Sequence, residues 1–122
     1  MSTPVKVLVV FVDETDMWDN LPLYEAIIKK LAKYKIAGAT AVDGMMGYGA
    51  HGKLHKRGLF GVSDDKPVMI VSVDYEENLR KAIPDIEKMV EEGLILMLDG
   101  TAFSAPFVPH PHPHNQPATD SL

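Results

Sequence analysis

Residues 5–12 read VKVLVVFV, and this stretch decides the fold class of the chain. β-Branched and aromatic side chains dominate it, and it lies between Pro4 and the acidic segment 13–20 (DETDMWDN), which predicts a β-strand. Apolar side chains fall on both faces of this strand, because Lys6 is its only polar residue. We therefore expect a sheet that is covered on both faces.

Helical and strand patterns alternate in the residues that follow. An amphipathic helix is predicted over 22–35, with proline at its first position and Gly38 at its end. Asp74 is predicted to cap a second helix over 75–92, whose apolar stripe continues across a kink at Pro84. Three further segments predict strands, namely 39–46 (ATAVDGMM), 67–73 (PVMIVSV) and 94–98 (LILML).

The order β-α-β-β-α-β predicts an α+β protein, a ferredoxin-like βαββαβ sandwich with a four-stranded antiparallel sheet and two helices on one face. In this topology the first two strands run in the same direction, so the segments that follow them leave the same edge of the sheet. The second helix ends at that edge, which brings Glu91, Glu92 and Gly93 beside them. Because two helices cover only one face, we predict that further copies of the chain cover the other.

Composition limits the number of domains and the kinds of partner. The 122 residues have room for one domain, predicted over 1–100, and the Pro- and His-rich residues 101–122 are predicted to be a mobile tail. The formal net charge of −5 argues against nucleic acid as a partner. There is no cysteine to form a disulfide or a thiolate metal site. The apolar run at 7–12 is too short to cross a bilayer, so we expect a cytoplasmic protein.

Residues 47–58, GYGAHGKLHKRG, contain the G-x-G-x-x-G of dinucleotide-binding turns and most of a P-loop. Neither motif has its context here, because no helical pattern follows and Leu54 occupies the Ser or Thr position of the P-loop. We predict instead a long loop over 47–66 between two antiparallel strands. Its glycine-rich backbone and its basic residues form a plausible anion cradle, and a loop without function is the alternative. Within seven residues this segment carries Lys53, Lys56 and Arg57 together with His51 and His55.

The acidic segment after the first strand surrounds the only tryptophan of the chain, Trp18. We predict that Asp19 caps the first helix, since carboxylates favour helix N-termini. For Glu14, Asp16 and Trp18 we predict contact with a ligand or with another subunit.

The histidines of the tail are the candidate metal ligands. His110, His112 and His114 alternate with proline, and such a tract binds nickel, copper or zinc weakly; a solvated tail without such a role is the alternative. No Ser-His-Asp order and no H-E-x-x-H motif is present, so no catalytic residue is predicted and we do not expect an enzyme.

Three segments, VDETDMWDNLPLYEAII, AGATAVDGMMGYGAHGKLHK and PVMIVSVDYEENLRKAIPDIEKMVEEGLI, resemble the PII-like family known as domain of unknown function 190. The resemblance covers about residues 5–98 and implies a homotrimer whose sheets face inward. More distantly, GMMGYGAHGKLH is similar to the strand end and T-loop base of nitrogen-regulatory PII proteins. That similarity implies an adenine nucleotide in the cleft between subunits and a T-loop that contacts a regulated partner.

Carried over by position, the T-loop base is formed by Gly44, Gly47, Tyr48 and Gly49, and its basic arm by Lys53, His55, Lys56 and Arg57. Residues 91–93 correspond to a turn that is basic and glycine-rich in PII proteins, whereas this chain has two glutamates there. A nucleotide with less charge than a triphosphate, or another small effector, is therefore expected. Relatives of the family are often encoded near fluoride channels, which makes a membrane transporter one candidate partner.

Two functions follow from these features. The first is a PII-like signal-transduction protein that binds a small effector between subunits and contacts a partner through 47–66. The alternative is a protein that binds or buffers divalent metals through the His-Pro tail and the acidic segment.

Overall fold

The computed structural model describes residues 2–48, 54–56 and 66–103. Four long strands and two helices follow in the predicted order, and they form the ferredoxin-like α+β sandwich. The elements in chain order are β1 (Thr3–Asp13), β2 (Met17–Trp18), β3 (Leu21–Pro22), α1 (Leu23–Lys33), β4 (Ala39–Asp43), β5 (Met46–Tyr48), β6 (Leu54–Lys56), β7 (Pro67–Asp74), α2 (Glu76–Met89) and β8 (Leu94–Ala102).

The main sheet has the strand order β4-β7-β1-β8, and every neighbouring pair is antiparallel. Strand β8 continues to Ala102, so it includes two residues that the sequence pattern assigned to the tail. Two further ladders lie outside this sheet: β2 pairs with β3, and β5 pairs with β6. Among residues 2–48, 54–56 and 66–103, no helix has the length and apolar character needed to cross a membrane.

The core lies between the helices and one face of the sheet. Strand β7 alternates strictly, with every second residue from Val68 to Asp74 buried. On α1 and α2 the buried residues recur every three or four positions, as expected for helices that pack one side on a sheet. The largest fully buried apolar side chains are Leu8, Val10, Ile27, Leu31, Ile70, Leu79 and Ile86.

The other face of the sheet, here called the open face, carries no helix and is almost entirely apolar. Directly paired residues of antiparallel strands share a face, so the register places twelve side chains on it between the terminal pairs Thr3–Ala102 and Asp13–Pro67. Eleven of them are apolar, and several of the large ones remain more than a third exposed. The twelve are Thr40 and Val42 on β4; Met69, Val71 and Val73 on β7; Val5, Val7, Val9 and Phe11 on β1; and Leu94, Leu96 and Leu98 on β8.

Helix α1 ends earlier than predicted, and a lysine rather than Gly38 terminates it. Lys35 has a left-handed backbone with φ of 62°. The Lys35 amide donates to the Ala32 carbonyl oxygen at 3.0 Å, and the Ile36 amide donates to the Leu31 carbonyl oxygen at 3.2 Å. These two bonds form a Schellman motif, in which glycine is the usual residue at the position of Lys35.

We therefore expect Lys35→Gly to raise the free energy of unfolding by about 1 kcal/mol, because glycine adopts the left-handed conformation without strain. Lys33→Gly, in the last turn of the helix, is the matched control and should lower it by about 1 kcal/mol. Urea denaturation of both variants measures the two changes. Destabilisation by Lys35→Gly would contradict the assignment of strain to this residue.

Asp74 is fully buried at the end of β7 and joins three segments. Its Oδ1 accepts hydrogen bonds from the Tyr75 amide at 2.6 Å and from Asn78 Nδ2 at 2.9 Å, while Oδ2 accepts one from the Ala37 amide at 2.9 Å. Tyr75, not Asp74, is the N-cap of α2, so the predicted cap was placed one residue early. The carboxylate instead connects the start of α2 to the segment between α1 and β4.

Candidate functional site

The edge of the sheet at which β1 and β4 end contains four of the residues predicted to bind a ligand, Glu14, Asp16, Trp18 and Gly44. Both strands pair antiparallel with β7, which lies between them, so they run in the same direction and end together. The Glu14 amide donates to the Lys66 carbonyl oxygen at 2.8 Å, and the Gly44 amide donates to the Pro67 carbonyl oxygen at 2.7 Å. Both ends of the chain segment between β4 and β7 are therefore attached to this edge.

Asp16 organises the acidic segment that follows β1. Its Oδ2 accepts a hydrogen bond from the Asp13 amide at 3.0 Å, and its own amide donates to the Asp13 carbonyl oxygen at 3.1 Å. The Asp16 carbonyl oxygen accepts from the amide of Leu23, the first residue of α1, at 2.7 Å. One aspartate thus holds both the turn after β1 and the start of the helix.

A small hairpin, β2–β3, separates β1 from α1 and was not predicted. Asp19 and Asn20 form its two-residue turn with φ of 52° and 69°, as in a type I′ turn. The prediction that Asp19 caps α1 is therefore wrong: Pro22 is the N-cap, and no side chain caps the helix. Adjacent Asp and Asn between two apolar pairs is a known turn signal and could have revealed the hairpin.

A half-open cavity of about 360 Å³ lies between this hairpin and the end of α2. Its apolar lining consists of Met17, Trp18, Leu23 and Met89. Its polar lining consists of Thr15, Asp16, Glu91 and Glu92. The predicted convergence of the acidic segment with the turn before β8 is thereby confirmed. Met17, Leu23 and Met89 were not identified as site residues from the sequence.

Two glycines allow close backbone approaches at this edge. A Cβ atom on Gly93 would overlap the Phe11 carbonyl oxygen and would lie 2.8 Å from Val90 Cγ1. On Gly44 it would lie 2.6 Å from Pro67 Cγ and 3.0 Å from the Pro67 carbonyl oxygen. Glycine is thus required where the turn before β8 meets β1 and where β4 meets the start of β7.

We expect Gly93→Ala to lower the free energy of unfolding by about 1–3 kcal/mol, since backbone must move to admit the methyl group. The matched control is Gly38→Ala, because nothing lies within 4 Å of a Cβ atom there. The free energy of unfolding of Gly38→Ala should stay within about 0.5 kcal/mol of the wild-type value. Thermal and urea unfolding at one protein concentration measure both. Equal effects of the two substitutions would contradict the steric argument.

The structure brings some predicted site residues together and leaves others undescribed. Glu14, Asp16, Trp18 and Gly44 lie at the edge described above. Within the segment predicted to be a loop, β5 and β6 form a ladder in which Gly47 pairs with His55, Tyr48 with Leu54, and Met46 with Lys56. Gly49, Lys53 and Arg57 lie outside the described residues, as do His110, His112 and His114.

Ionisable groups with shifted pKa values occur elsewhere in the molecule. The Tyr34 hydroxyl donates to Asp85 Oδ2 at 2.6 Å, which raises the pKa of Tyr34 and lowers that of Asp85. A hydrogen bond from Lys6 to Asp99 raises the pKa of Lys6. These pairs join α1 to α2 and β1 to β8, so they are structural contacts. In the parts of the chain that the structure describes, no three His, Asp or Glu residues are grouped to hold a metal ion.

The family of the chain is established by comparison with known sequences. The sequence profile of DUF190, described as Uncharacterized ACR, COG1993, matches residues 5–101. The chain belongs to the DUF190 family. A UPF0166 protein of Methanocaldococcus jannaschii is 34% identical over 95 residues, which are 77% of this chain and 87% of that protein. A UPF0166 protein of Aquifex aeolicus is 28% identical over 94 residues, 77% of this chain and 89% of that one.

Among solved structures, this DUF190 protein is similar to CPII, a nitrogen regulatory PII-like protein from Thiomonas intermedia K12. The TM-score is 0.65 at 21% sequence identity, over 84% of this chain and 91% of CPII. That CPII structure contains ADP, AMP and bicarbonate. The similarity shows that the DUF190 protein has the PII-like fold.

Proposed function

We propose that this DUF190 protein is a PII-like regulatory protein that binds an adenine nucleotide between subunits and contacts a partner through residues 47–66. The observation that carries this proposal is the attachment of both ends of that segment to one edge of the sheet. Lys66 accepts from the Glu14 amide, and Gly44 donates to Pro67. A ligand that displaces the acidic segment would therefore act directly on the base of 47–66. Such coupling between a ligand and a partner-binding segment is what a regulator requires.

The nucleotide is proposed by analogy with CPII, which binds ADP and AMP. Glu91 and Glu92 are exposed in the turn before β8, at the same edge. Their negative charge opposes a triphosphate more strongly than a monophosphate. We therefore propose AMP or ADP, rather than ATP, as the preferred ligand, with Lys53, His55, Lys56 and Arg57 supplying the positive charge.

A homotrimer is the proposed assembly, because the open face needs a cover. Eleven apolar side chains on four neighbouring strands form a larger apolar surface than a monomeric protein usually leaves in water. Further copies of the chain would cover this face with the same surface on each subunit. The partner contacted through 47–66 is a separate protein, and a membrane transporter is one candidate.

Calorimetric titration of the full chain with AMP, ADP and ATP tests the proposal. We expect saturable binding, tightest for AMP or ADP, and a loss of about tenfold in affinity for Lys53→Ala and His55→Ala, since each removes a charge-assisted hydrogen bond. Lys81→Ala, an exposed lysine on α2, is the control and should bind as the wild type does. Absence of binding by all three nucleotides would contradict the proposal.

A divalent-metal arm of the same titration addresses the alternative function. Binding of Zn²⁺ or Ni²⁺ without any nucleotide binding would favour the metal-binding function. Loss of that signal when His110, His112 and His114 are replaced by alanine would assign it to the tail. Nucleotide binding that persists in this triple variant is expected if the protein is a PII-like regulator.

A further inference from the structure

We infer that the cavity between the β2–β3 hairpin and the end of α2 binds an organic ammonium ion. The cavity lies within one subunit and has a volume of about 360 Å³, which is within the range of small-molecule sites, about 300–1,000 Å³. Its lining combines an indole, two thioethers and a leucine with three carboxylates. These two classes of side chain together determine the kind of ligand.

The charge of the lining selects a cation. Asp16, Glu91 and Glu92 are the ionisable residues that line the cavity, and all three are acidic. A phosphate group would be repelled here, whereas an ammonium group would be attracted by the carboxylates and by the face of Trp18.

The shape and the apolar lining select an organic cation over a metal ion. A bound Ca²⁺ or Mg²⁺ needs several oxygen ligands at about 2.0–2.6 Å. The described carboxylates of the cavity are not grouped closely enough to supply them. Methyl and methylene groups of an alkylammonium ion would instead contact the apolar side chains of Trp18, Leu23 and Met89. A hydrated metal ion has no apolar groups with which to make these contacts.

The hairpin keeps large apolar side chains beside the cavity rather than in the core. Met17 is 61% exposed and Trp18 is 39% exposed, whereas Leu23 and Met89, which also line the cavity, are 3% and 4% exposed. The turn that holds Met17 and Trp18 there contains two residues with left-handed backbone, Asp19 and Asn20. A two-residue turn of this type matches the twist of the two strands that it joins, so it favours the hairpin that forms this wall of the cavity.

Trp18 provides the readout, because it is the only tryptophan of the chain. We would titrate the full chain with choline and, separately, with 3,3-dimethylbutan-1-ol, which has the same shape as choline but no charge. Choline is expected to change the Trp18 fluorescence in a saturable manner, and the neutral alcohol to bind at least tenfold more weakly. Equal responses to choline and the alcohol, or no saturable response to choline, would overturn the inference.

Variants assign the response to the cavity. Glu91→Gln and Glu92→Gln preserve shape and are expected to weaken choline binding severalfold each, whereas Glu87→Gln, an exposed glutamate of α2 outside the cavity, should not. Trp18→Leu, followed by calorimetry, should weaken choline binding about tenfold. Unchanged affinity in all the cavity variants would overturn the inference, as would Mg²⁺ producing the response in place of choline. AMP binding to the wild-type protein, measured in a separate titration, tests the proposed function alone, so failure here is distinguishable from failure of the proposed function.

Discussion

Leu98→Glu is expected to convert the proposed trimer, which has three times the 13.4 kDa mass of the chain, into monomers. Leu98 lies on the open face, directly opposite Val7, and is 48% exposed in the isolated chain. A glutamate at this position would remain solvated in a monomer, so the fold of the subunit should tolerate it. In the proposed trimer the same carboxylate would be buried among apolar side chains.

The expected effect is large because two costs add in each subunit. Burial of a leucine contributes about 1.5–3 kcal/mol, and burial of an unpaired carboxylate costs several kcal/mol more. Since 1.4 kcal/mol is a tenfold change in an equilibrium constant, the association constant should fall by several orders of magnitude. Light scattering coupled to size-exclusion chromatography at micromolar concentration measures the mass.

Ala32→Glu is the control for this experiment. Ala32 is exposed on α1, on the opposite side of the sheet from the open face, so the added charge should leave the mass unchanged. Circular dichroism of both variants checks that the subunit is folded. A monomeric wild-type protein, or a Leu98→Glu variant of unchanged mass, would contradict the proposed assembly.

Asp74→Asn is expected to lower the free energy of unfolding by about 3 kcal/mol, although it removes no atoms from the core. The two oxygens of Asp74 accept three hydrogen bonds from neutral donors. An asparagine has one oxygen and one NH₂ group, and in either orientation the NH₂ group faces a donor. In one orientation the NH₂ group would face the Ala37 amide. In the other it would face both the Tyr75 amide and Asn78 Nδ2. At least one buried donor would lose its acceptor.

Asp19→Asn is the matched control, since it makes the same chemical change at an exposed turn position. Position 19 has a left-handed backbone, which asparagine adopts at least as readily as aspartate. Asp19→Asn should therefore change the free energy of unfolding by no more than about 0.5 kcal/mol. Urea unfolding should be measured at one protomer concentration, because the proposed association would contribute to stability. If the free energy of unfolding of Asp74→Asn lies within about 1 kcal/mol of the wild-type value, the role assigned to the buried carboxylate would be contradicted.

Local patterns were sufficient to predict the main elements. The apolar run of β1, the alternation in β7 and the helical stripe of Leu23, Ile27 and Leu31 each repeat with the period of their own element. Element order then led to the correct topology, because few arrangements of βαββαβ avoid crossed connections. The convergence of Asp16 with Glu91 and Glu92 followed from topology alone.

Three of the features that were not predicted depend on a local exception or on an element too short to show a period. The end of α1 was misplaced because lysine at position 35 takes the conformation usual for glycine. The β2–β3 hairpin has only two residues in each strand, too few for a period to appear. The cap assigned to Asp19 was wrong because the hairpin turn uses that residue instead.

The sequence by itself determined the fold class, the two apolar faces of the sheet and the common edge at which the acidic segment and residues 47–66 meet. These properties follow from periodicity and chain order, which are local and can be read along the chain. The tertiary structure alone decided the cavity under Trp18, the three bonds to Asp74 and the close approach of Gly93 to Phe11. Each of these depends on the distance between residues far apart in the chain, which is set by how the helices pack on the sheet.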